Sequence, residues 1–166
     1  MKRYDEAGPF SRVIRRTAGT RPMAWVYWHI QEPLDRFVYR RTSGRVTATS
    51  WLSDIDMTML TTTGARTGRP RTHVVLGLAD GDRVVVVASN YGRRQHPAWY
   101  HNLKANPRAS IVIGGVSREV FAQELHGTER DRYYQRGVEV YPGFNLYQRR
   151  AHRQIPVLAL DPATNT

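Results

Sequence analysis

An arginine-rich loop is the first feature of this sequence that can do chemistry. In the segment GARTGRPRT, Arg66, Arg69 and Arg71 lie close together, and Gly64 and Gly68 punctuate them. Arginine side chains bind phosphate and carboxylate oxygens in pairs, and glycine lets backbone amides approach an anion. The segment lacks the lysine and the spacing of a Walker phosphate loop, and its composition is equally typical of a solvated turn. The loop alone therefore predicts either an anion-binding site or exposed surface.

A second feature is the aromatic segment YPGFNLYQRR near the end of the chain. Tyr141, Phe144 and Tyr147 are spaced three apart, so on a helical turn they share one face. Such a face either packs into the core or forms the apolar wall of a site for a planar cofactor. In the second case a tyrosine hydroxyl can donate a hydrogen bond to charge that develops on a reduced substrate.

The residue types exclude several familiar kinds of site. The sequence has no cysteine, which excludes disulfides, thiolate catalysis and cysteine-based metal sites. It also has no nucleophile elbow, paired-histidine zinc helix or dinucleotide-binding glycine fingerprint. The six histidines are scattered without metal-ligand spacing, and no pair of carboxylates suits acid–base catalysis. We therefore expect no metal site, and neither covalent nor metal-dependent hydrolysis.

The net charge of +11 is unusual, and all 25 basic residues except Lys2 and Lys104 are arginines. The excess of positive charge lies mainly in residues 1–45 and 66–108. An arginine-rich surface suits an anionic ligand, a nucleic acid or an acidic lipid, although a GC-rich coding sequence also raises arginine content. The charge therefore leaves a nucleic-acid or acidic-lipid binding module open as an alternative to an enzyme.

The elements that must position these residues are mostly short strands. THVVLGL and RVVVVAS flank Asp80-Gly81, which predicts a tight hairpin, and ASIVIGGVSREVFAQEL predicts a second hairpin that turns at its glycine pair. A short helix is predicted from Pro97, Thr128 is predicted to cap a polar helix, and IPVLAL is predicted as the last strand. Five or six short strands favour a mainly β fold, a small antiparallel barrel, over a doubly wound sheet.

The length predicts a single domain over residues 1–166, with a helical segment at 1–45 and the barrel at 46–166. Within the first segment, Pro33 is predicted to open a second helix. No signal-peptide or membrane-spanning pattern is present, so we expect a cytoplasmic protein. Because the N-terminal helices mix aromatic and basic residues, they are expected to pack on the barrel, to cover a ligand pocket or to contact the inner face of the cell membrane.

Three segments, read together, resemble the deazaflavin-dependent nitroreductase family, whose members bind coenzyme F420. They are LTTTGARTGRPR, VVVASNYGRRQHPAWYHNLKANP and YPGFNLYQRRAHRQIPVLAL, in the family's order and spacing over residues 60–162. The resemblance implies an antiparallel split β-barrel of the FMN-binding type with N-terminal helices. It also implies a deazaflavin in a groove, with its phosphate and oligoglutamate tail running over basic side chains.

The resemblance assigns roles to individual positions. Arg66, Thr67 and Arg71 match positions that bind the anionic part of the cofactor, and Arg69 is added to them because of its charge. The three aromatic residues of the third segment match substrate-binding positions over the ring. The other implied cofactor-binding positions lie on a hairpin strand, on the strand end that meets the ring and on the helix that follows: Leu76, Val87, Ala88, Ser89, Asn90, Ala98, Trp99 and Asn102.

The implied reaction is transfer of a hydride from reduced F420 to an electron-poor small molecule such as a quinone, a nitroaromatic or an activated alkene. Ser89, Tyr141 or Tyr147 would polarise or protonate the acceptor. Phe144 departs from the family's pattern, because the best-known nitroreductase member carries tyrosine there and a phenyl ring cannot donate a proton. Nitro reduction is therefore less expected than quinone reduction. A non-catalytic F420 carrier stays open as an alternative, and nucleic acid is not expected as a partner.

Overall fold

The computed structural model describes residues 57–163 and, within the N-terminal segment, Tyr4, Glu6, Gly8, Ser11 and Arg12. The predicted second helix at Pro33 lies outside the described residues, as does most of the predicted N-terminal helical segment. The description therefore concerns the barrel and the helices that pack on it.

Six antiparallel strands form a closed barrel with the order β1–β2–β3–β6–β5–β4. This confirms the predicted antiparallel barrel. The strands are β1 (Met57–Thr63), β2 (Pro70–Asp80), β3 (Arg83–Val87), β4 (Arg108–Ile113), β5 (Val116–Leu125) and β6 (Val157–Pro162).

The valine run of β3 shows how the sequence separates two cores. Val84 and Val86 point into the barrel, whereas Val85 and Val87 point outward, and all four are buried. A strand that is buried on both faces reads as a continuous apolar run, because alternate side chains point to opposite sides. The interior is one core, and the helices that cover the outer face of β3 make the second.

The two predicted hairpins are confirmed. β2 and β3 pair with Asp80 opposite Arg83, and Gly81 between them has a φ of 60°. β4 and β5 meet at a Gly-Gly turn whose two φ values are 57° and 82°. These backbone conformations lie in the left-handed region that favours glycine, which explains why the turns are readable from sequence.

Within residues 57–163, three α-helices lie outside the strands: α1 (Ala98–Ala105), α2 (Gly127–Val140) and α3 (Gly143–Ala151). Helix α1 follows Pro97, as predicted. The prediction that Thr128 caps α2 is wrong, because the helix begins before it. Its first helical hydrogen bond runs from Arg130 N to His126 O, and His126 makes no side-chain cap. Across the described part of the chain, no helix has the length and apolar character needed to cross a membrane.

Candidate functional site

The predicted site residues collect at the end of the barrel where β1 ends, β2 begins and β3 ends. β1 and β2 pair up to Thr63 and Pro70, so residues 64–69 join them at this end, and together with Arg71 at the start of β2 they make up the arginine loop. β3 runs antiparallel to β2, toward the same end, and stops at Val87, one residue beyond the pair Gly77 and Val86. Helix α1 follows a short loop, residues 88–97, and packs beside β1. The topology thus brings together segments that are far apart in the sequence.

The arginine loop is a closed turn. Gly64 N donates to Arg69 O at 2.9 Å, and Gly68 N donates to Gly64 O at 2.8 Å. Gly64 is buried, and a Cβ there would lie 2.9 Å from the Thr67 hydroxyl oxygen and 3.1 Å from Arg69 O. Only glycine fits this position without a shift of the loop. The turn therefore has one defined shape, which presents its outer residues to solvent.

The arginine side chains of the loop are exposed, and so is Thr67. Among residues 57–163, no carboxylate forms a salt bridge with Arg66, Arg69 or Arg71. Three guanidinium groups on one loop, none of them neutralised by an acid in this part of the chain, suit phosphate and carboxylate oxygens. Of the two interpretations left open by the sequence, this arrangement favours the anion site.

Asn102 connects the arginine loop to strand β1. It is 7% exposed, its Nδ2 donates to Thr62 Oγ1 at 2.9 Å, and Ala65 N donates to its Oδ1 at 3.0 Å. Both ends of the amide are thus engaged, one with strand β1 and one with the arginine loop. The sequence predicts Asn102 as a cofactor-binding residue, and the structure adds that it positions the neighbouring loop.

The predicted ring-side residues fall on two sides of the barrel wall. Leu76 and Val87 pack on the outer core, with Leu76 partly exposed. Ala88 and Trp99 are buried in the interior core, so contact with a ligand outside the wall has to use their backbone atoms. Ala98 is exposed on the first turn of α1. Of these residues, Leu76 and Ala98 keep side-chain surface exposed, whereas Val87 is 7% exposed and lies within the outer core.

The chain leaves β3 through a turn with an unusual backbone. Ser89 is in the right-handed helical region, and the next three residues, Asn90, Tyr91 and Gly92, have φ values of 48°, 55° and 78°. A left-handed conformation costs a residue with a Cβ about 1–2 kcal/mol. Asn90 Nδ2 donates to Gln95 O at 2.9 Å, which helps to hold the turn. Strained backbone of this kind clusters at ligand-binding sites.

The three aromatic residues of the third segment form one cluster, but not on one helical turn as predicted, because Tyr141 is the extended residue that ends α2 whereas Phe144 and Tyr147 lie on α3. Their ring centroids lie 5.3 to 6.2 Å apart. The hydroxyl oxygens of Tyr141 and Tyr147 are 2.9 Å apart, within hydrogen-bond distance. Phe144 is 4% exposed and packs in the outer core. The sequence left open whether these residues pack in the core or form the wall of a ligand site. Phe144 packs in the core, and Tyr141 is partly exposed and can form such a wall.

Further titratable groups lie near this cluster and near helix α1. Tyr134 donates to Phe144 O at 2.8 Å, and burial raises the pKa of Tyr134 to about 12. His96 stacks on Tyr100 with ring centroids 4.6 Å apart, and burial lowers the pKa of His96. Among the described residues, no group of three or more histidine, aspartate or glutamate side chains has an arrangement that can hold a metal ion.

Sequence reasoning missed Arg153. Its guanidinium donates to backbone carbonyls of the loop that follows β3, including Arg94 O at 2.9 Å. The sequence shows this arginine only as part of the third segment, in AHRQIP, and no spacing rule connects it with a loop about sixty residues earlier. Only the fold brings the two together.

A closed antiparallel barrel, with a basic loop at one end and an aromatic cluster at the helix that packs on the loop after β3, is the architecture of the split-barrel class. Within that class, the chain belongs to the F420H(2)-dependent quinone reductase family, whose model matches residues 34–162. The family and the F420-dependent chemistry predicted from the three segments are thereby confirmed. The description of the family names quinones as the acceptor, whereas reduction of nitroaromatic compounds by this chain stays a prediction.

Similar proteins agree with this assignment. An F420H(2)-dependent quinone reductase of Mycobacterium tuberculosis is 36% identical over 142 residues, which cover 82% of this chain and 95% of that protein. A solved F420-H2 dependent reductase (FDR-A) is 36% identical with a TM-score of 0.60, covering 63% of this chain and 93% of its own. A solved domain-swapped dimer is 31% identical with a TM-score of 0.63, covering 84% of this chain and 99% of its own.

Proposed function

We propose that this protein transfers a hydride from reduced coenzyme F420 to a quinone, at the end of the barrel described above. The observation that carries the proposal is the arginine loop, whose three exposed guanidinium groups form no salt bridge within residues 57–163. Relatives described as F420H(2)-dependent quinone reductases support the choice of both cofactor and acceptor.

The side chains present fit the two parts of this cofactor. An anionic phosphate and oligoglutamate tail suits Arg66, Arg69 and Arg71, because guanidinium forms paired, charge-assisted hydrogen bonds with such oxygens. A planar ring suits the partly exposed Leu76 and the backbone where β3 ends, since planar cofactors are held mainly by apolar and backbone contacts. We assign the tail to the first group and the ring to the second.

The bound cofactor supplies the hydride, and the chain supplies placement and proton control. Tyr141 is partly exposed, and its hydroxyl is hydrogen-bonded to that of the buried Tyr147. In such a pair, one hydroxyl stabilises the charge left on the other when a proton is donated to a substrate oxygen. Ser89, at the end of β3, is the other candidate donor. Phe144 packs beside the pair and supplies no proton.

Membrane contact and location are further parts of the proposal. A quinone acceptor is apolar, and residues 1–45 carry basic and aromatic side chains that suit an anionic membrane surface. We propose a cytoplasmic protein that contacts the inner face of the membrane. Flotation of the full chain with anionic vesicles, but not with neutral ones, is the expected result. Equal recovery with both kinds of vesicle contradicts the membrane contact.

Binding of the cofactor is tested by titration. Purified protein is titrated with F420 and, separately, with FMN, while the fluorescence of each is followed at low and at high salt. We expect F420 to bind at micromolar concentration and to bind less tightly at high salt, because the tail contacts are ionic. Absence of F420 binding in this range contradicts the proposal. Tight binding of both redox forms without any reaction with quinones favours a carrier instead.

A further inference from the structure

One guanidinium group contacts both ends of the loop that follows β3, in addition to the hydrogen bond from Asn90 to Gln95 within the loop. Arg153 Nε donates to Arg94 O at 2.9 Å. Its Nη2 lies 3.2 Å from Ala88 O, 3.4 Å from Ser89 O and 3.3 Å from Gln95 O. These four carbonyls belong to both ends of the loop, so one side chain closes it.

The chemistry of arginine explains why the loop is closed in this way. Guanidinium has five N–H donors in a rigid plane and no acceptor, so a single side chain can satisfy several carbonyl oxygens at once. Within residues 57–163, Arg153 forms no salt bridge, and its partners are backbone oxygens. Burial lowers the pKa of Arg153, but arginine stays protonated at neutral pH.

The backbone that carries Arg153 is itself fixed to α3. His152, with a φ of 51°, ends the helix in the left-handed conformation. Gln148, on the helix, then bridges the segment that follows. Its Nε2 donates to Arg153 O at 2.6 Å, and its Oε1 accepts from Ile155 N at 3.2 Å. The backbone of Arg153 is therefore held in place relative to helix α3.

A second contact joins the same loop to the same helix. Gly92 packs so closely on α3 that a Cβ there would lie 2.9 Å from Tyr147 Cα. The loop is thus attached to α3 at two points, by Arg153 near its ends and by Gly92 in the middle. Between these points lie Asn90 and Tyr91 in left-handed conformations, which persist only where the surrounding structure holds them.

We propose that Arg153 is a positioning residue that locks the loop at residues 88–97 to helix α3. It thereby sets the distance between Ser89, at the start of the loop, and the hydroxyls of Tyr141 and Tyr147. This inference rests on the proposed function for its effect on catalysis, whereas the lock itself is a property of the free protein. A shift of about 1 Å in reacting groups is enough to cost on the order of a hundredfold in rate.

The test compares Arg153→Ala and Arg153→Lys with Arg149→Ala. Arg149 is an exposed arginine in the last turn of α3, so its substitution removes the same charge nearby without touching the loop. Hydrogen exchange of residues 88–95 in the free protein reports the lock. Steady-state kinetics with reduced F420 and menadione, well below the thermal transition of each variant, report kcat and KM.

For Arg153→Ala, we expect loss of exchange protection in residues 88–95 and a fall in kcat of roughly ten- to a hundredfold. Lysine cannot reach four carbonyls at once, so Arg153→Lys should restore only part of either quantity, and Arg149→Ala should match the wild type. Unchanged exchange in residues 88–95 overturns the lock. Loss of protection with kcat and KM within twofold of the wild type overturns the positioning role. A wild-type protein that does not use F420 refutes the proposed function, while hydrogen exchange still tests the lock.

Discussion

Replacement of Asn102 by alanine is the substitution whose effect follows most directly from the structure. It removes the hydrogen bond from Asn102 Nδ2 to Thr62 Oγ1 and the one from Ala65 N to Asn102 Oδ1. Ala65 is exposed, so water can satisfy its N–H group, whereas Thr62 is 1% exposed. The variant therefore combines two lost hydrogen bonds with one buried oxygen that has lost its donor.

The expected cost follows from these contacts. Each hydrogen bond contributes about 1 kcal/mol net, and the buried Thr62 Oγ1 loses a donor but still donates to Arg71 O at 3.4 Å. We expect Asn102→Ala to lower the free energy of unfolding by about 1–3 kcal/mol, measured by urea denaturation. Asn145→Ala is the control, because Asn145 is exposed on α3 and its backbone hydrogen bond survives the change. Its effect should stay within about 0.5 kcal/mol.

The same variant separates two roles of Asn102. If Asn102 positions the arginine loop, Asn102→Ala should weaken binding of F420 more than binding of a version trimmed of phosphate and glutamates. Titrations of the folded variant with both ligands measure this. An equal loss for the two ligands refutes the positioning argument and indicates direct contact with the ring. A free energy of unfolding within about 0.5 kcal/mol of the wild type refutes the reasoning about the buried amide.

Three further predictions concern the loop, the strained turn and a buried phenol. The double variant Arg66→Ala with Arg71→Ala should bind F420 about tenfold more weakly, because each exposed ion pair contributes little to the binding free energy, and it should bind the trimmed ligand almost as well as the wild type does. Equal losses for the two ligands in fluorescence titrations contradict the tail assignment. Gly92→Ala should lower the free energy of unfolding, measured in urea, by about 2–4 kcal/mol, which is more than Gly114→Ala should. Both substitutions place alanine in a left-handed backbone conformation, but only at Gly92 would the new Cβ contact α3. Burial raises the pKa of the Tyr134 hydroxyl from 10.0 to about 12, so this hydroxyl loses its proton at a lower pH in the unfolded chain than in the folded one. The free energy of unfolding should therefore fall as the pH rises from about 10 to about 12. Urea midpoints that fall equally in wild type and Tyr134→Phe refute this.

The sequence predicted the barrel because its signals are local. The turn at Gly81 and the valine run of β3 are each readable within a few residues, since glycine permits the positive φ and β-branched residues favour strands. The spacing of Tyr141, Phe144 and Tyr147 predicted that their rings lie together, but the helical turn shared by all three was wrong, because α2 ends at Tyr141. The one cap that was wrong, at Thr128, lies two residues after the observed N-cap, His126, and helix ends are commonly displaced by that much.

The contacts that organise the site were not predictable in this way. Asn102 bonds with Thr62 across a separation of 40 residues, and Arg153 bonds with Ala88 across 65. Neither pair follows the period of a helix or a strand, so no pattern in the sequence indicates it. Their geometry arises only when the barrel closes and α3 packs on the loop that follows β3.

The central claim is tested most directly by the oxidation of reduced F420 by menadione. Protein loaded with F420 reduced with deuterium or with hydrogen at C5 is mixed with the quinone, and the return of deazaflavin fluorescence is followed in a single turnover. We predict that the protein accelerates the reaction and that deuterium slows it, because a bond to this hydrogen breaks. A rate with protein equal to that without it, in a sample that binds F420, contradicts the account.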